Sequence, residues 1–79
     1  MKKTFVMAVT INNRLDSARV VQDLLTESGK MVNMRCGSHE SGEDQGTIIL
    51  KLKGARDRVA ALDAAFNALD GVKSKYMEL

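Results

Sequence analysis

Apolar residues recur along this chain with two different periods, and the periods take turns. From Thr4 to Ile11 every second residue is large and apolar: Phe5, Met7, Val9 and Ile11 alternate with Thr4, Val6, Ala8 and Thr10. A period of two is a strand with two unlike faces. Asn12-Asn13-Arg14 interrupts it as a turn, after which Ala18, Val21, Leu24, Leu25 and Ser28 follow helical spacing, with Val20 widening the stripe. Asn13 or Asp16 is placed to cap the first helical turn by accepting from free backbone N–H groups. Gly29 is placed to end the helix in the left-handed conformation, which a Cβ would disfavour.

The pattern then repeats. A second strand over residues 30–37 sets Val32, Met34 and Cys36 toward the core and Met31, Asn33 and Arg35 away from it. Residues 38–46 are polar, acidic and punctuated by glycine, which predicts a mobile loop longer than a tight hairpin. Strand three, residues 47–53, carries Ile48, Leu50 and Leu52 inward and Ile49, Lys51 and Lys53 outward. A helix over residues 55–70 follows, with Val59, Leu62, Phe66 and Leu69 on one stripe and several alanines that favour helix and permit close packing. Gly71 ends it, and a last strand runs from Val72 to near Met77.

The chain is thus strand–helix–strand written twice. Right-handed crossovers in both units, with both helices covering one face, require the units to interleave. The expected fold is α+β, a ferredoxin-like βαββαβ sandwich: a four-stranded antiparallel sheet with two helices on one face. All 79 residues form one domain, with no room for a second core. So short a chain buries only about 60–65% of its unfolded surface, and association with another copy is the usual remedy. The uncovered face would carry Val6, Ala8, Met31, Asn33, Arg35, Ile49, Lys51, Lys73 and Lys75. A fully solvated face has no need of four such apolar residues, so this face or an adjoining strand edge is expected to make a homo-oligomer contact, as a dimer or tetramer.

Charge and composition narrow the function. Twelve basic residues against 10 acidic ones leave a net charge of +2, which gives no electrostatic case for nucleic acid or an anionic membrane. Lys2-Lys3 before an apolar run resembles a secretory start, but the run breaks at Thr10 and has no cleavage site. No segment approaches the roughly 20 apolar residues of a membrane span. A single cysteine excludes an internal disulfide, and the expected location is cytoplasmic.

Candidate chemistry is sparse. Cys36 and His39 are the one close pair of soft metal ligands, but a tetrahedral site needs four, and the chain has no second Cys or His. The expectation is no resident metal and no cofactor. A Cys36–His39 nucleophile pair lacks an orienting third group, and no glycine-rich phosphate loop precedes a helix; no enzyme activity is expected. RNA-recognition domains share this topology and stack bases on central-strand aromatics, for which the outward positions here offer Val6, Ala8, Ile49 and Lys51 instead. Direct nucleic-acid binding is therefore not expected. Arg14, at the entry to the first helix, and Arg35, near the end of a parallel-running strand, can serve a small carboxylate or phosphate at one end of the sheet.

Two resemblances rest on these residues. The stretch Asn13-Arg14-Leu15-Asp16-Ser17-Ala18-Arg19-Val20 through Leu24-Leu25 to Gly29 resembles ACT domains, small regulatory modules of βαββαβ type that bind amino acids at subunit interfaces. Leu15-Asp16 stands where those domains usually carry a proline–glycine pair. Arg35-x-Gly37, Gly46-x-Ile48-x-Leu50-x-Leu52, and Gly71-Val72 with Lys75 together resemble the small regulators of the iron-only hydrogenase system, which are ACT-like. That family is also similar in fold to the C-terminal domain of nickel-responsive repressors. The resemblance implies an oligomeric regulatory domain without a DNA-binding arm of its own. The expected function is a non-catalytic, ligand-sensing regulatory domain in which Asn12, Asn13, Arg14, Arg35 and Gly37 hold an anionic or amino-acid effector. The alternatives are a protein-interaction module without a ligand and a metal-responsive domain using Cys36 and His39.

Overall fold

Phe5, Met7, Val9 and Ile11 are all buried, which makes the first strand the centre of the molecule. The computed structural model describes residues 2–12, 14–39 and 45–79. In chain order the elements are β1 (Lys3–Asn12), α1 (Arg14–Glu27), β2 (Val32–His39), β3 (Gln45–Gly54), α2 (Arg56–Asn67) and β4 (Val72–Glu78). The sheet order is β2-β3-β1-β4 and every neighbouring pair is antiparallel. This is the ferredoxin-like βαββαβ arrangement that the doubled pattern predicts.

The core lies between one sheet face and the two helices. Phe5, Met7, Val9, Ile11, Ile48, Leu50, Leu52 and Val72 meet Val21 and Leu25 of α1 and Val59, Leu62 and Phe66 of α2. Leu24 and Leu69 pack at its margin, while Val20 is exposed on α1 and widens no stripe. Met31, expected on the open face, is buried with the core. Its side chain lies over Gly54, where a Cβ would stand 3.0 Å from the Met31 sulfur.

The second strand departs from its expected alternation. Val32 pairs with Leu52 but Met34 pairs with Lys51, so Asn33 is an extra residue with no partner in the ladder. Such a bulge reverses the parity of everything after it. Met34 and Cys36 therefore share the open face with Lys51 and Ile49, and Arg35 and Gly37 align with Leu50 and Ile48 on the helix side. The expected inward Met34 and Cys36 and outward Arg35 are corrected on this account. Cys36 is exposed.

The ends of the elements bring further corrections. Helix α1 already starts at Arg14, so Asp16 sits inside its first turn rather than capping it; Asn13, the other candidate cap, lies outside the described residues. The loop expected over residues 38–46 is shortened, because β2 continues to His39 and β3 begins at Gln45. Residues 40–44 of that loop lie outside the described residues. Gly29 does not adopt the left-handed conformation; among the described glycines that belongs to Gly71, with φ of 74°. The α1 end is closed instead by Gly29 N–H donating to the Thr26 carbonyl and Met31 N–H to that of Ser28.

Two side-chain systems hold β4 in place. Ser74 is buried and its hydroxyl donates to Asp63 Oδ1 at 2.6 Å. The Asn67 amide accepts from Ser74 N–H at 2.7 Å and donates to the Ser74 carbonyl at 3.1 Å, as a neighbouring strand would. The outer edge of β4 is thereby occupied at its middle by α2. Further along, Glu78 pairs with Arg56 and Lys3. The Arg56 hydrogen bond is the main cause that holds the Glu78 carboxyl below its ordinary range.

Gly71 closes the α2–β4 turn against β1: its carbonyl accepts from Asn12 N–H at 2.6 Å. A Cβ on Gly71 would sit 2.7 Å from the Asn12 carbonyl oxygen, on a backbone that L side chains rarely adopt. Gly71→Ala is therefore expected to destabilise the domain by about 2 kcal/mol, read as a fall in the urea midpoint with an unchanged slope.

Candidate functional site

The bulge at Asn33 creates the arrangement with most chemical potential. It turns Arg35 toward α1, where the guanidinium donates to Gln22 Oε1 at 3.3 Å. A cleft of about 320 Å³ opens beside it, lined by Leu25, Gly29, Val32, Asn33, Met34 and Arg35. Gln22 is neutral, so the bond orients the guanidinium without cancelling its charge. Among the described residues no carboxylate forms a salt bridge with Arg35. A fixed cation beside apolar side chains suits a small molecule with a carboxylate or phosphate at one end and an apolar body.

The other expected ligand residues are not gathered there. Asn12 ends β1, paired with Gln45, and its backbone is tied to Gly71. Arg35 is level with Leu50 and through it with Met7. The five steps from Met7 to Asn12 span about 17 Å of strand, and Arg35 lies two strands to the side, about 10 Å. Gly37, level with Ile48 and Val9, stands between the two ends. It is exposed, and a Cβ there would meet nothing closer than 4.0 Å, so it leaves the Ile48 flank open without being sterically required. Asn13 lies outside the described residues, and of Arg14 the helical backbone alone is described. Within one chain the four described residues therefore form two groups, Arg35 with Gly37 on β2 and Asn12 with Arg14 at the β1–α1 junction.

Cys36 and His39 pair with Ile49 and Gly46 respectively. Three residues apart on an extended strand, they hold positions of opposite parity. Among the described residues no group of three or more His, Cys, Asp or Glu is placed to hold a metal ion.

Sequence reasoning passed over two features. The bulge left one faint signal, a polar Asn33 in an otherwise strand-forming run. The Asn67–Ser74–Asp63 system left none, because its members are polar residues whose partners lie in other elements.

No family model matches the chain, and no curated protein matches it. Solved structures do. The uncharacterized protein TM1266 from Thermotoga maritima superposes with a TM-score of 0.95 at 25% identity, covering 100% of this chain and 99% of that one. A nitrogen regulatory PII-like protein, the apo form of CPII from Thiomonas intermedia, covers 100% of this chain and 97% of its own at a TM-score of 0.54 and 16% identity. A formyltetrahydrofolate deformylase from Pseudomonas putida aligns at a TM-score of 0.65 and 16% identity, and there the match spans 28% of that chain. The class these likenesses define is the ferredoxin-like fold, and the match to TM1266 spans nearly the whole of that chain.

The parity reversal has a direct chemical readout. The Cys36 thiol of the native protein is expected to react with an aromatic disulfide reagent within about tenfold of the rate in urea. A thiol on the core side of β2 would be slowed by orders of magnitude.

Proposed function

We propose that this protein is a non-catalytic regulatory domain that senses a small anionic effector and works as a homo-oligomer. The observation that carries the reading is Arg35, held by Gln22 at the mouth of the cleft between β2 and the end of α1. The regulatory PII-like neighbour of matching length supports the functional class. The effector that fits is a carboxylate or phosphate with a compact apolar body resting against Leu25 and Val32, such as an apolar amino acid or its 2-oxo acid. The narrower reading, a regulator of the iron-only hydrogenase system, rests on the sequence motifs around Arg35, Gly46 and Gly71.

A second copy fits best along β2. Asn67 occupies the outer edge of β4, whereas β2 runs in regular register from Met34 to His39. Two β2 edges paired antiparallel about a two-fold axis would extend the sheet. That pairing carries the Gly37 end of one copy toward the Arg35 cleft of the other, so an effector there would favour one assembly over another.

A thermal-shift screen of apolar amino acids, 2-oxo acids, nucleotides and divalent cations tests the reading. A ligand at about 100 times its dissociation constant adds about 2.7 kcal/mol, which for so small a domain is on the order of 10 °C. The expected outcome is a shift with a carboxylate or phosphate compound that Arg35→Ala abolishes while its ligand-free melting temperature stays within a few degrees of the parent. A shift that survives Arg35→Ala moves the site elsewhere, and a shift confined to divalent cations supports the metal-responsive alternative.

A further inference from the structure

Beyond the Arg35 cleft, the open face of the sheet has no assigned role. Its cross-strand rows follow from the register: Met34–Lys51–Val6–Met77 and, beside it, Cys36–Ile49–Ala8–Lys75. Met34 is 53% exposed, Met77 60% and Ile49 37%, so the face is apolar at its middle and at both sides. A shallow groove of about 220 Å³ runs along Val6, Ala8, Lys75, Tyr76 and Met77. Lys53 beside Thr4 and Lys73 beside Thr10 close the two ends. Among the described residues every charged side chain of this face is a lysine, and no Asp or Glu side chain shares it. The helix side, by contrast, mixes both signs. A net charge of +2 conceals this segregation.

Area and charge together select the occupant. At about 4.8 Å between strands and 3.3 Å per residue, the face measures roughly 400 Å². A partner covering it would bury about 800 Å² in total, below the roughly 1,200 Å² at which stable interfaces begin and within the range of transient ones. A second copy laid face to face would confront four lysines with four more across about 10 Å, with no counter-charge between them. Single-stranded nucleic acid has no flat platform here: Phe5 and Phe66 are core residues, and Tyr76, which borders the groove, sets its ring edge-on against Phe5 at 6.1 Å. What remains is a surface whose own carboxylates alternate with apolar side chains. We propose that the open face docks an acidic amphipathic helix of another protein, its apolar stripe over Val6, Ile49 and Met77 and its carboxylates over Lys51 and Lys75. The complex is transient and salt-sensitive, and it does not depend on the small-molecule effector proposed for the Arg35 cleft.

The test is a titration of the ¹⁵N-labelled full chain with a synthetic helix bearing leucine on one face and glutamate on the other. The expected result is shift changes centred on Val6, Ala8, Ile49, Lys51 and Lys75, with affinity falling about tenfold or more from low to physiological salt. Lys51→Glu with Lys75→Glu removes binding, and Lys51→Gln with Lys75→Gln weakens it, which keeps the test decisive if charge reversal disturbs the fold. Arg19→Glu on α1 binds as the parent does. The proposal is overturned if the changes map to the helices, if the glutamine pair leaves affinity unaltered, or if a leucine–lysine helix binds equally well. Tighter binding of single-stranded DNA or anionic vesicles to the same face also overturns it. So does a sedimenting dimer that Ile49→Lys converts to monomer, since the occupant would then be a second copy.

Discussion

A strand side chain changes face only where the ladder skips a residue, and β2 skips Asn33 between Val32 and Met34. Without that skip, Arg35 would point to the open face and Met34 and Cys36 would press on the helices. With it, the helix side acquires a cation that Gln22 can orient, and the open face acquires two more apolar side chains. A buried methionine is still needed at that end of the core, and Met31 supplies it from the turn before β2, seated over Gly54. The exchange keeps the core filled while giving β2 a different surface on each side.

The two edges of the sheet are treated differently, and this constrains assembly. Unpaired edges invite further pairing unless something blocks them. Asn67 fills the Ser74 position of β4 from outside, and Ser74 in turn binds Asp63, so α2 acts there as a substitute strand. Beyond it, Glu78 is drawn toward Arg56 and Lys3, which ties the chain's last strand to α2 and β1 by charge. No comparable hydrogen bond among the described residues covers β2 from Met34 to His39. Among the described residues, the edge without such cover is that of β2, and the lysine-bearing face belongs to neither edge.

Much of this architecture was legible in the alternation itself. Phe5, Met7, Val9 and Ile11 of β1 and Ile48, Leu50 and Leu52 of β3 are buried because a strict period of two survives there without interruption. Gly71 was readable because a helix followed at once by a strand is commonly closed by a residue tolerant of positive φ. Gly29 sits in the same sequence context and behaves otherwise, since a turn through Ser28 and Met31 offered the carbonyls of α1 another way to be satisfied. The bulge was not legible, because Val32 to Cys36 alternates plausibly in either register and only the partner strand decides between them. The bulge moved Arg35 to the helix side of the sheet, while its distance from Asn12 follows from its place level with Leu50 and Met7.

Both surfaces to which a role is given meet on the same short stretch of backbone. Arg35 faces the cleft beside α1, while Met34 and Cys36, its immediate neighbours, face the sheet's open side. Asn33 has no ladder partner, so the parity of β2 changes there and stays regular from Met34 to His39. One unpaired residue therefore decides which side chains of β2 face the cleft and which face the open side of the sheet.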